Sequence, residues 1–209
     1  MALGEQFTDV LDAARTGAPW ALEKLYREFH PSVLAFLRAR APAEAEDLAS
    51  DVFIAVAEGL GRFEGDEDGF RSWLFTITYR QVGQLRRRLG RRRTDPFPVD
   101  EVDQRVPPGD AETDAMAAIT TQEALDLIAT LPPAQAEVLL LRVVADLPVD
   151  EVAAIVGKRP TAVRALQHRA VVGLARRASR EQPPDTASGN KVRSGKAPAP
   201  HKSAKQEKS

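Results

Sequence analysis

The sequence predicts an all-α protein: two small helical domains joined by a flexible acidic linker and followed by a disordered basic tail. Three observations carry this reading. Apolar residues recur three and four positions apart in segment after segment, which is the spacing of one helical face. No segment shows the strict alternation of a half-buried strand. Prolines and glycines gather where one periodic segment gives way to the next. The 209 residues allow one or two domains of roughly 100 residues each.

Phe7, Val10, Leu11 and Ala14 predict a first helix over 7–16. It stops at Gly17, a residue free to take the left-handed conformation common at helix C-termini. Pro19 suits the first turn of the next helix, where its missing N–H would have had no partner anyway. Leu22, Leu25, Tyr26 and Phe29 carry that helix, and His30-Pro31 is a point where it can bend before resuming with Val33, Leu34 and Leu37. A third helix spans about 43–60, with Leu48, Val52, Phe53 and Val56 expected inside. Gly59, Gly61, Gly65 and Gly69 then punctuate an acidic loop. A fourth helix runs from about Phe70 through Trp73, Leu74, Ile77 and Leu85 into an arginine cluster at 86–93. The first domain is therefore 5–93.

Residues 94–114 break the pattern, with four prolines (96, 98, 107, 108) and seven carboxylates against Arg105 alone. Such a composition favours an extended, solvated linker. The second domain, 115–180, is expected to hold helices at about 115–130, 134–145, 149–156 and 160–178, bounded by Pro132-Pro133 and Pro148. From 181 to 209 apolar residues thin out, and six Lys/Arg face three acids, so this tail is expected to be disordered.

The end of the second domain says most about function. Two short helices meet at Gly157, and residues 158–180 carry seven Lys/Arg and no carboxylate. The second helix has an apolar inner face at Val163, Leu166, Ala170 and Leu174. Concentrated positive charge of this kind is offset by an anionic partner, and duplex DNA presents a charge every ~1.7 Å of axis. A cationic outer face, an apolar inner face and a short preceding helix describe a helix-turn-helix.

Composition excludes other classes. Cysteine is absent, which removes disulfides, thiolate catalysis and the usual structural zinc sites, and which fits a reducing compartment. No apolar run approaches the ~18 residues that span a bilayer, and no signal-peptide pattern follows Met1. A cytoplasmic protein without membrane insertion is expected. The three histidines (30, 168, 201) are scattered, with no glycine-rich phosphate loop or metal-spaced cluster beside them. Neither an enzyme, a cofactor nor a metal site is expected.

Three phrases bring these elements together: AEDL-x-x-x-VF from Ala45, a Trp73-Leu74 helix ending in arginines, and LP-x-x-x-x-x-VLLLR from Leu131. With the order of the two units and their short linker, the chain resembles the extracytoplasmic-function (ECF) sigma factors of the sigma-70 family over about 5–177. The resemblance implies a monomeric, dissociable promoter-specificity subunit of bacterial RNA polymerase. Its region 2 would dock on the clamp helices of the largest polymerase subunit and open the −10 element. Its region 4 would hold the −35 element and the polymerase flap. Many members of the family are held inactive by an anti-sigma factor, so such a partner is allowed too.

The resemblance implies roles for individual residues. Glu46, Asp47 and Asp51 fall in the helix that contacts core polymerase, where carboxylates can meet cations of the clamp; Asp47 and Asp51, four apart, share a face. The loop 61–69 corresponds to the element that captures a flipped −10 base. There Arg62 and Phe63 could bond and stack, or Phe63 and Phe70 could anchor the loop to the core. Tyr79, Arg80 and Gln84 belong to the −10 helix, and Arg80 stands where many relatives have Asn, a departure that bears on the −10 sequence read. Arg86, Arg87 and Arg88, with 91–93, would meet phosphate, which positions without specifying. In region 4, Arg164, Ala165, His168 and Arg169 would face the major groove, where arginine can bond a guanine edge in bidentate fashion. Lys158 and Arg159 would meet phosphate at the start of that helix, and Thr161 would supply a hydroxyl one residue from its usual place. A self-standing helix-turn-helix regulator would use 147–180 alike but would have no need of the first domain. In a third reading the second unit serves mainly to bind another protein.

Overall fold

The computed structural model describes residues 3–92 and 121–181. The expected linker at 94–114, residues 115–120 of the expected fifth helix, and the tail from 182 lie outside them. All regular structure among the described residues is helical.

The N-terminal unit comprises α1 (Phe7–Arg15), α2 (Pro19–Arg40), α3 (Ala45–Gly59) and α4 (Glu67–Arg92), with 3-10 turns at Gly4–Gln6, Pro42–Glu44 and Leu60–Arg62. Gly17 takes a left-handed φ of 80° behind α1, as expected, and its N–H bonds the Ala14 carbonyl. α2 runs without interruption through Pro31, the point at which a bend is expected. Leu25, Phe29, Val33, Phe36 and Leu37 form one unbroken buried stripe across the proline, and packing along it outweighs the single hydrogen bond that Pro31 cannot make. Phe70, fully buried, centres an aromatic core with Phe29, Phe63, Phe7 and Trp73, at ring distances of 5.1, 5.5, 5.6 and 5.7 Å. Tyr26 is more exposed than the helical spacing implies: it lies on the surface, stacked on His30 and tilted against Phe53.

The C-terminal unit comprises α5 (Thr121–Ala129), α6 (Pro133–Val143), α7 (Val149–Val156) and α8 (Pro160–Glu181). Val163, Leu166 and Ala170 of α8 are buried where α8 packs on α6 and α7, while Leu174 is half-buried. Asp146 adopts a left-handed φ of 52° in the α6–α7 turn, a conformation Asp tolerates better than most residues. Arg142 secures that turn by donating to the Leu147 carbonyl.

The two units pack on one another. α2 lies against α5 and α6, α4 lies against α7, and the buried residues of both units form one continuous core. Helical periodicity alone did not anticipate this contact.

Candidate nucleic-acid interface

Helix α8 carries the cationic face. Gly157, at φ 66°, ends α7 and frees the chain to turn, and Pro160 opens α8. With Val163, Leu166 and Ala170 turned inward, the opposite side presents Thr161, Arg164, Ala165 and His168 in one row, at the 3.6-residue spacing. Lys158, Arg159, Thr161 and Arg164 are exposed, and Ala165 and His168 are half-buried. Arg169 sits at the margin of this row. It is half-buried, and its Nε is covered without a hydrogen-bond partner.

In the N-terminal unit several contacts tie down the loop before α4. Phe63 stacks on Trp73 (5.1 Å, 24°) and meets Phe70 edge-on, so it anchors the loop to the core. Arg15 donates to the Phe63 carbonyl. Asp66 accepts from the Gly69 N–H at 2.9 Å and caps α4. Glu67 accepts from the backbone N–H groups of Leu3 and Gly4 and pairs with Arg71 at 3.3 Å. Two of the loop's acids are therefore occupied within the fold, and Arg62 stands exposed beside it.

Asp47 and Asp51 line one wall of a groove of about 280 Å³ between α3 and α4, floored by Leu48, Leu85 and Leu89 and closed by Arg88. Glu46 is turned away from it, to Arg38 at 2.8 Å. The structure thus joins Asp47 and Asp51 in one feature and separates Glu46 from them.

The arginines of α4 do not share one environment. Arg80, Gln84, Arg86, Arg87 and Arg88 are all exposed, and Arg86, its side chain 42% exposed, also reaches across to the C-terminal unit. There it donates to Oε1 of Glu137, which also accepts from Arg40 Nη2 at 3.2 Å; Oε2 accepts from the Tyr79 hydroxyl, also at 3.2 Å. Glu137 and Arg40 have side chains only 9% and 8% exposed. Burial, followed by the charge of Arg86, pushes the Arg40 pKa down, while Glu137 pulls it back up. Burial first, then Glu137, raises the Tyr79 hydroxyl to about 12. A second strut runs from Ser72 Oγ to Glu151 Oε2 at 2.5 Å. The sequence reading assigned no role to Arg40 or Glu137. The signal was present: Glu137 is the one acid within the apolar run 136–141, and a buried carboxylate requires a cation.

Residues 25–92 match the model of Sigma-70 region 2, and residues 121–172 match that of Sigma-70 region 4. Over 179 residues the chain is 32% identical to the ECF RNA polymerase sigma factor SigD of Mycobacterium tuberculosis, covering 82% of this chain and 83% of that protein. The chain belongs to the ECF sigma factors. ShbA of Streptomyces griseus, another ECF sigma factor, is 34% identical over 169 residues, covering 76% of this chain and 87% of that one. Two solved structures share the fold of this sigma factor. One is CnrH in complex with the cytosolic domain of CnrY, with a TM-score of 0.58 and 20% identity over 85% of this chain and all of that one. The other is the sigma factor RpoE in complex with the anti-sigma factor NepR from Bartonella quintana, with a TM-score of 0.57 and 21% identity over 77% of this chain and 98% of that one. As an alternative sigma factor the chain directs RNA polymerase to promoters, with region 2 in its N-terminal unit and region 4 in its C-terminal unit. No helix among the described residues is long and apolar enough to cross a membrane.

Proposed function

We propose that this sigma factor docks on core polymerase through the α3 groove, lays α4 along the −10 strand and sets α8 in the major groove of the −35 element. The observation that carries the assignment is the separation of charge on the surface. Asp47 and Asp51 lie together in a groove with an apolar floor, while the exposed row of α8 carries cations and no carboxylate. An acidic groove suits a basic protein helix, and a cationic helix with an apolar inner face suits duplex DNA.

Within that frame Asp47 and Asp51 pair with cations of the polymerase clamp, and Glu46 supports α3 through Arg38. Arg62, Tyr79, Arg80, Gln84, Arg86, Arg87 and Arg88 contact the opened strand, with Phe63 acting through the shape of its loop. Arg164 and His168 read base edges, while Lys158, Arg159 and Thr161 hold phosphate. No catalytic step falls to this chain, because nucleotide addition belongs to the polymerase. The chain works in the cytoplasm as a monomer bound to polymerase. The complex of its structural relative RpoE with the anti-sigma factor NepR supports an anti-sigma factor as a further partner.

The deciding experiment is binding of the labelled full chain to purified core RNA polymerase without DNA. Saturable binding that weakens at least tenfold in Asp47→Arg/Asp51→Arg is expected, since reversal makes two attractive pairs repulsive; about 1.4 kcal/mol accounts for that factor. Undiminished binding by the double variant would move the docking site elsewhere. Absence of polymerase binding, beside tight binding of duplex DNA by the chain alone, would favour a self-standing regulator.

A further inference from the structure

Arg40, Tyr79 and Arg86 come from two helices of the N-terminal unit, yet all three point at a single carboxylate of the other unit. Two guanidinium groups and a phenol converging on one anion form an arrangement that recognises tetrahedral oxyanions as well as carboxylates. Glu137 fills it incompletely. Arg40 Nε, buried in the same place, has no hydrogen-bond partner. A carboxylate presents two oxygens to this cluster, whereas a phosphodiester also presents ester oxygens and wider reach. Without Glu137 the buried guanidinium of Arg40 would lose its neutralising partner beside the partly exposed Arg86, so an anion stabilises the assembled cluster.

We propose that Arg40, Tyr79 and Arg86 form a phosphate cradle for single-stranded DNA, and that Glu137 occupies this cradle in the free chain. The proposal rests on the assignment of Tyr79 and Arg86 to the −10 strand and adds Arg40 to it. Its consequence is self-masking. While Glu137 is seated, α6 and α7 stay on the N-terminal unit, and the Ser72–Glu151 bond holds the same closed state. Opening frees the cradle, and a strand phosphate takes the place of the Glu137 carboxylate. The exposed row of α8 and the groove at Asp47 and Asp51 remain accessible in both states. Masking thus falls on the cradle alone.

The test uses the full chain. The absence of cysteine allows Ala57→Cys and Ala129→Cys, both at exposed positions, to carry a donor and an acceptor dye on the two units. The probes are a thymidine dodecamer and the same oligomer with a neutral methylphosphonate backbone. In the unsubstituted background, efficient transfer is expected to fall as the charged oligomer is added and to stay constant with the neutral one. Glu137→Gln should begin with lower transfer and bind the charged oligomer about tenfold tighter, the gain expected if about a tenth of the free chain is open. Ser72→Ala/Glu151→Ala, which leaves the cradle intact, should change both readouts in the same direction and serves if Glu137→Gln fails to fold. Arg40→Gln in the Glu137→Gln background should remove the gain. An opened chain with no gain in affinity, or a gain that survives Arg40→Gln, would overturn the proposal. Core polymerase binding of the same variants, measured without DNA, tests the docking reading separately, because it depends on Asp47 and Asp51.

Discussion

The Tyr79 hydroxyl donates to Glu137 Oε2 at 3.2 Å, joining residues 58 positions apart and two helical units through one buried hydrogen bond. Burial and the adjacent carboxylate hold the phenol proton, which lifts its pKa to about 12 from an ordinary 10.0. The closed form therefore binds that proton more tightly than an open form can. Its contribution to closure is complete below about pH 10 and is lost as pH rises through about 12. One of the two tyrosines should ionise with a midpoint near pH 12 by phenolate absorbance, and Tyr79→Phe should remove that step. Transfer between dyes on the two units should fall over the same range. A Tyr79 midpoint near the ordinary 10.0 would contradict this.

Arg164 and Lys158 are both exposed but differ in the contact expected of them. Arg164→Ala should relax base preference at one −35 position by ~1–3 kcal/mol. Lys158→Ala should weaken binding of all sequences alike and lower the salt slope by about 1. Competition between −35 duplexes for the polymerase complex, repeated at several salt concentrations, separates the two. Equal loss on every duplex for both variants would remove the base-reading role of Arg164.

Gly59, at the end of α3, lies so close to Trp73 that an added Cβ would come within 2.7 Å of the indole Cζ2. Trp73 cannot simply withdraw, because Phe63 stacks on its ring. Gly59→Ala is expected to cost about 1–3 kcal/mol and to lower the melting temperature. The tryptophan emission should shift to the red as Trp73 moves out of its half-buried position. An unchanged melt and spectrum would show that the loop yields without cost.

Asp66 caps α4 through the Gly69 N–H. Asp66→Ala should cost about 1 kcal/mol and Asp66→Asn much less, since asparagine also caps well. Thermal unfolding of the three proteins measures this directly. Equal losses in the two variants would mean that the carboxylate charge matters more than the cap.

Most elements were legible because their signals are local. Gly17 and Gly157 mark helix ends, Pro19 and Pro160 mark helix starts, and Val163, Leu166 and Ala170 share a face simply through their spacing. At Pro31 the helix is not interrupted, because the buried stripe runs on both sides of it. The groove holding Asp47 and Asp51 was half legible. Their common face follows from a four-residue step, but Leu85, Arg88 and Leu89 come from a different helix.

By itself, then, the sequence determined which segments are helical, which faces turn inward, and which helix carries the unbalanced positive charge. These follow from a 3.6-residue period and from residue types a few positions apart. Only the tertiary structure decided that Glu137 meets Arg40, Tyr79 and Arg86, from 97, 58 and 51 positions away. A buried carboxylate must have a partner, but nothing within one helical turn specifies which cation will be there. That choice is made when α6 and α7 settle on α2 and α4, where the cost of burying these charges is offset only if they arrive together.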